Sequence, residues 1–188
     1  LPFDNFTNLV GIDFGFGNGE ILSILKNMGA NITGLDTNLF FVQNMRNNGI
    51  NAYTLRIDED TKDFSQIITS LIPTDLCDFV ISTLTLDRLE RPVNFLQNFF
   101  SVLKMGGKFA LQTLLPVSEI DDGNNEDPII YTPNDHKITP GMSVKQDMLA
   151  LVGQLVELGG EQIKIYKLPY VVASRDGIQT YTLYSFSG

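Results

Sequence analysis

The run Val10-Gly11-Ile12-Asp13-Phe14-Gly15-Phe16-Gly17-Asn18-Gly19, followed at once by Ile21, Leu22, Ile24, Leu25 and Met28 at helical spacing, restricts this chain more than any other stretch of it. A short strand over Leu9–Asp13 must turn through three alternate glycines into a helix over Glu20–Met28. Glycine lets a backbone turn sharply and lets a ligand touch it with no Cβ in the way, at an entropic cost that a plain turn has no need of. A strand, a glycine loop and a helix open an α/β sheet, and in such sheets ligands bind outside the carboxyl ends of the strands. A tight turn without a ligand is the plainer alternative. A dinucleotide loop does not fit: Gly-x-Gly-x-x-Gly ends on Glu20 when counted from Gly15, and on Leu22 when counted from Gly17.

The alternation continues. Strands are expected at Ile32–Asp36, Ala52–Ile57, Phe79–Thr83 and Lys108–Leu114, with helices at Leu39–Asn47, Phe64–Ile72 and Val93–Lys104. Strands alternating with helices of about ten residues imply right-handed parallel βαβ units, with helices on both faces of a doubly wound sheet. Pro116–Gly141 breaks the pattern: it lacks apolar periodicity, and six acids (Glu119, Asp121, Asp122, Glu126, Asp127, Asp135) accompany one base, Lys137. A structureless stretch of that length inside a compact domain is functional or disordered. A long amphipathic helix over Met142–Leu158 follows, stopped at Gly159-Gly160. Two strands then come, Ile163–Ala173 and Ile178–Phe186, joined by Ser174-Arg175-Asp176-Gly177, and Asp-Gly between β runs is a hairpin signal. The expectation is one α/β domain over 1–188, mostly parallel, with an antiparallel hairpin at one edge and an insertion at 116–141.

Composition narrows the partners. A net charge of −9 is the wrong sign for nucleic acid, whose partners carry a basic footprint. No apolar run approaches the roughly 20 residues of a membrane helix, so no membrane partner is expected. The one cysteine, Cys77, excludes an intrachain disulfide and, with no signal peptide in the sequence, fits a reducing, cytoplasmic setting.

Asp13-x-Gly15-x-Gly17-x-Gly19 resembles motif I of the class I S-adenosylmethionine-dependent methyltransferases. Ile32-Thr33-Gly34-Leu35-Asp36 then places an acid at the end of the second strand. A carboxylate there accepts both ribose hydroxyl hydrogens, each charge-assisted bond being worth roughly 1.5–3 kcal/mol. Alternatively it caps the helix at Leu39, a role equally open to Asn38. Arg56-Ile57-Asp58-Glu59-Asp60 follows the third strand, where the resemblance implies an acid on the adenine amino group; Asp58 matches best, Glu59 and Asp60 are alternatives, and a solvated acidic loop is the plain reading. Asp75–Leu86 resembles the fourth-strand motif. Leu103-Lys104-Met105-Gly106-Gly107-Lys108-Phe109 resembles the Lys-Pro-Gly-Gly turn before the fifth strand, with Met105 in place of proline.

The resemblance spans about residues 9–114. It implies a Rossmann-like sheet of seven strands and S-adenosylmethionine as cofactor. It also implies a cofactor site drawn from Asp13, Gly15, Phe16, Gly17, Gly19, Asp36, Thr37, Asp58, Glu59, Ser82 and Thr83, with no metal. The implied activity is methyl transfer to a small-molecule acceptor, with 116–141 as a lid over the acceptor side. In-line transfer asks for positioning and water exclusion more than for covalent help. An alcohol or phenol acceptor needs a base, whereas an ionised acceptor does not. Related small-molecule methyltransferases often carry His after the fourth strand, and this chain has Leu86-Asp87-Arg88-Leu89 there. The candidates for proton handling are Asp87, Tyr131 and the sole histidine, His136. The missing histidine also admits a second function, a methyltransferase-like module that binds without catalysing.

Overall fold

The structure, a computed structural model, describes residues 5–72, 76–115, 130–132, 137–139, 144–174 and 177–188. Within these, the side chains of 61, 63, 65, 87, 114–115, 130–132, 137–139, 144–150, 166–174 and 177–186 lie outside the description. The elements run β1 (Val10–Phe14), α1 (Glu20–Asn27), β2 (Asn31–Asp36), α2 (Leu39–Asn47), β3 (Asn51–Thr54), α3 (Thr61–Leu71), β4 (Cys77–Thr83), a 3-10 turn (Leu86–Arg88), α4 (Pro92–Ser101), β5 (Leu103–Leu115), β6 (Ile130–Thr132), β7 (Lys137–Thr139), α5 (Val144–Glu157), β8 (Lys164–Ser174) and β9 (Gly177–Ser187).

Five strands pair in parallel in the order β3-β2-β1-β4-β5, so this is an α/β Rossmann-like sheet with β1 near its centre. The backbone of β5 also runs antiparallel to β9, with Leu111 opposite Phe186, and β9 runs antiparallel to β8. Side chains alternate across a strand, so each sheet face collects every second residue. Ile12, Phe14 and Val80 pack on one face with Phe64, Phe95, Phe99 and Leu155; Phe79 and Ile81 pack on the other with Leu22, Leu25, Val42 and Met45. Phe14 is the hub of the first layer, its ring 5.9 Å from Phe64, 5.9 Å from Phe95 and 5.3 Å from Phe99. At the opposite edge of the sheet from the glycine loop, Asp78 accepts from the Val10 N–H at 2.8 Å and pairs with Lys104.

Several elements depart from the sequence reading; the fourth helix, expected to run to Lys104, ends at Ser101, because Leu103 already pairs with Cys77 at the start of β5. The third strand stops at Thr54, not Ile57, because the carbonyls of Ile57 and Glu59 turn away from the sheet to a helix side chain, Asn98. The fifth strand begins early, at Leu103 opposite Cys77, and a register shift before Phe79 absorbs the turn at Gly106, whose φ is 74°. Inside the insertion, β6 and β7 form a short antiparallel pair where no regular structure is expected. The expected hairpin turn at Arg175-Asp176 lies outside the described residues. No helix among the described residues is long and apolar enough to cross a membrane.

Gly11 shows how tightly β1 and β4 fit. A Cβ built there would lie 2.2 Å from Cζ of Phe79, whose ring lies across that position. We expect Gly11→Ala to cost about 1–3 kcal/mol in urea denaturation, as overpacking does. The cost should shrink in a Phe79→Leu background, where the ring is gone.

Candidate functional site

Parallel pairing puts the carboxyl ends of β1, β2, β3 and β4 on one edge, and a cavity of about 710 Å³ opens there, within the roughly 300–1,000 Å³ usual for small-molecule sites. Its walls are the glycine loop (Gly15, Phe16, Gly17), the ends of β1 and β2 (Asp13, Asp36, Thr37), the loop after β3 (Ile57, Asp58) and the segment after β4 (Thr83, Leu84, Thr85, Arg88, Leu89).

The three loop glycines differ in what requires them. All have left-handed backbones, φ 72° at Gly15, 56° at Gly17 and 79° at Gly19, a region that favours glycine. A Cβ on Gly15 would lie 2.4 Å from Thr85 Oγ1, and one on Gly19 would lie 2.3 Å from Met45 Sδ. Around Gly17 no heavy atom falls within 4 Å of that position, and Gly17 lines the cavity. Two glycines therefore answer to packing, and the middle one leaves room for a ligand. The loop is tied to β2: Gly15 N–H donates to Leu35 O at 2.7 Å, and Gly17 N–H donates to Asp36 Oδ2 at 2.9 Å.

The acids sort by their partners. Asn38 caps α2, accepting from Phe40 N–H at 3.0 Å. That leaves Asp36 facing the loop, where Oδ1 accepts from Asn38 N–H at 2.8 Å. Asp13 is 3% exposed. Burial, and then the negative Asp36 nearby, push its carboxyl up to about 8. Asp58 is also 3% exposed, yet it lies below the ordinary carboxylate range. Its burial would raise it, but hydrogen bonds from Arg56 and from Arg91 N–H, with the Arg56 charge, outweigh that. Glu59 pairs with Arg56 at 3.5 Å, and Asp60 caps α3 through Lys62 N–H at 3.1 Å. Of the three acids after β3, Asp58 alone lines the cavity.

Gly19, Glu59 and Ser82 do not line the cavity; Ser82 Oγ donates to Phe14 O at 2.8 Å beneath the loop. Asn18, Glu20, Ile21, Phe41, Ile57, Leu84, Thr85 and Leu89 line the cavity without having been picked from the sequence; Arg88, for which the sequence left substrate contact and pairing near the next helix both open, also lines it. Phe41 follows from the turn that starts α2, and Thr85 from the pattern after β4. Leu84 has no sequence signal: its φ is 56°, a strained position for a branched residue that costs on the order of 1–3 kcal/mol. Its N–H is held by Gln112 O at 2.9 Å. Asp87 falls in the 3-10 turn and Tyr131 in β6, with side chains outside the described residues, and His136 lies outside them altogether. Among the described residues, no group of three or more His, Cys, Asp or Glu is placed to hold a metal ion.

A family model described as a methyltransferase domain matches residues 12–111, just over half of the chain. No curated protein matches the sequence. Among solved structures, the chain is similar to an S-adenosylmethionine-dependent methyltransferase from Mesorhizobium loti, at 16% identity over 99% of this chain and 94% of that one, with a TM-score of 0.59. It is similar to one from Methanosarcina mazei, at 15% identity over 96% and 92%, TM-score 0.60. A third, from Archaeoglobus fulgidus, has 17% identity over 97% and 87%, TM-score 0.61. Likeness at these identities concerns the fold.

The raised Asp13 makes a pH prediction. Its folded value lies above its unfolded one, so between about pH 4 and 8 the folded chain holds the extra proton, and stability falls as pH rises through that window. Relative to the parent, Asp13→Asn should gain unfolding free energy with rising pH, by up to about 1.4 kcal/mol per pH unit. Urea denaturation across the window checks the slope.

Proposed function

The chain belongs to the methyltransferase-domain family, with S-adenosylmethionine as cofactor, and from that premise we propose that the cavity at the carboxyl edge of its sheet binds the cofactor and transfers its methyl group to a small-molecule acceptor. The observation that carries this reading is the pairing of Gly17, open to the cavity, with Asp36, whose carboxylate is aligned by two N–H groups. The residues present fit the ligand. Each Asp36 oxygen keeps a lone pair for a ribose hydroxyl. The cavity is lined by Asp13, Glu20, Asp36 and Asp58, an acceptor set suited to a cation that carries hydrogen-bond donors.

When bound, the cofactor supplies a methyl group on a positively charged sulfur, which the acceptor's lone pair displaces in line. The chain's own residues bind, orient and exclude water. Asp36 holds the ribose and Asp58 the adenine amino group. Asp13 answers the positive end, while Gly15, Phe16, Gly17, Thr37 and Thr83 form the contact wall. Gly19 and Ser82 support that wall from behind, and Glu59 pairs with the Arg56 that holds Asp58. A proton-handling role falls to Asp87, Tyr131 or His136, if the acceptor needs one.

The same reading makes the complete sheet seven-stranded, with β8 and β9 as its antiparallel edge hairpin, a view the β5–β9 and β8–β9 pairings support. It makes 1–188 one domain and 116–141 a cover on the acceptor side, supported by that segment's place directly after β5. The cytoplasmic setting rests on the single buried Cys77, and the absence of a nucleic-acid partner on the net charge of −9. A non-catalytic binding module is the second reading, favoured by the lack of His, Lys, Tyr or Cys among the described residues lining the cavity.

Calorimetry with S-adenosylhomocysteine and a labelled-methyl assay on an acceptor panel test the proposal. Methylated product supports it; binding without product across a broad panel favours the module; no binding at millimolar ligand overturns both. Asp36→Ala should weaken cofactor binding about ten- to a hundredfold, and unchanged affinity refutes the ribose role. Because the positive sulfur of S-adenosylmethionine favours ionised Asp13, binding of that ligand near pH 7 should release up to one proton. Calorimetry in buffers of different ionisation enthalpy reads that release, which Asp13→Asn should abolish.

A further inference from the structure

We infer that Asn98 of α4 is the positioning residue that sets the chain's selectivity for the cofactor's base, an inference that rests on the adenine role given above to Asp58. Asn98 is 0% exposed and sits in the aromatic layer between Phe95 and Phe99. A buried amide there costs about 1–3 kcal/mol unless its polar atoms are paired. Both of its N–H groups are used: Nδ2 donates to Ile57 O at 3.0 Å and to Glu59 O at 2.9 Å. Both partners are carbonyls, which only accept, so the amide cannot be turned the other way. Its Oδ1 is buried with no hydrogen-bond partner. Leucine at this position would leave no orphaned oxygen, but it would leave the Ile57 and Glu59 carbonyls without these two bonds, so what asparagine supplies here is the pairing of that loop's backbone.

The two carbonyls belong to the residues on either side of Asp58. β3 has ended at Thr54, so no strand ladder shapes residues 57–59; Asn98 fixes that backbone from within the core. From the other side, Arg56 Nε donates to Asp58 Oδ1 at 2.9 Å and Arg91 N–H to Oδ2 at 3.2 Å. Asp58 and Ile57 both line the cavity. The loop's backbone is thus held by a helix side chain, and its carboxylate by two donors, in a single arrangement facing the ligand. Selectivity for a hydrogen-bonding edge depends on such fixed geometry, because a loop free to move re-pairs with either edge.

The test compares S-adenosylhomocysteine with S-inosylhomocysteine, which carries an oxygen where adenine has its amino group. Calorimetry on the full chain should show that the parent prefers the adenosyl ligand. Asn98→Leu should cut that preference at least about fivefold, mainly by weakening the adenosyl ligand. Asn98→Asp, of the same shape but without the paired N–H groups, should do likewise and carries the test if the leucine variant does not fold. In an Asp58→Asn background, the same substitutions should leave the preference unchanged. A preference kept in the Asn98 variants while both ligands weaken in parallel makes Asn98 a packing residue and overturns the inference alone. A parent that binds neither ligand overturns the cofactor reading, and this inference with it.

Discussion

Parallel pairing on both sides of β1 is the constraint on which the site depends. β1 is registered against β2 from Val10–Asn31 to Phe14–Leu35 and against β4 from Gly11–Phe79 to Asp13–Ile81. Strands so aligned end together, and their last residues face one another across a few ångströms. The glycine loop extends this order: Gly15 N–H reaches Leu35 O, and Gly17 N–H reaches the next residue's side chain, Asp36. The loop is therefore less a flexible turn than a continuation of the β1–β2 pairing into space where a ligand fits. Phe14 anchors it from below through three other phenylalanines.

Within that edge, identical side chains behave differently because their surroundings differ. Asp13 and Asp58 are equally buried. Burial, with Asp36 as a further negative neighbour, lifts the Asp13 carboxyl to about 8. Asp58 has Arg56 and the Arg91 N–H, and it is held low. One acid holds its proton near neutrality; the other is a standing acceptor. Two carboxyl groups pushed apart in this way are assigned different roles by environment alone.

The fold was legible because its signals are local. Apolar periodicity, Gly49 after α2 and the glycine loop each act within a few residues. Part of the site was legible for the same reason, since the strand-end positions of Asp13 and Asp36 follow from where each apolar run stops; Asp58 lies four residues past the end of β3, in a loop that the apolar run did not delimit. The choice between Asp36 and Asn38 as helix cap was open in sequence, because both residue types cap equally well; the bond to Gly17, nineteen residues away, resolves it. Likewise the three acids after β3 read alike until the loop sets Asp58 alone of them in the cavity wall and the α3 terminus takes Asp60.

The sequence by itself determined the alternation of strands and helices, the glycine turn and the strand-end acids, since each is written in spacing and in backbone sterics. Tertiary structure alone decided how those pieces are held: that a side chain on Gly15 or Gly19 would collide with Thr85 or Met45 while Gly17 stays open, that Leu84 bears a strained φ at the cavity wall, and that Asn98 pairs with a loop some forty residues before it. These depend on contacts between residues distant in the chain, and no local pattern carries them, because a side chain's partner across the sheet is fixed only when the sheet has closed.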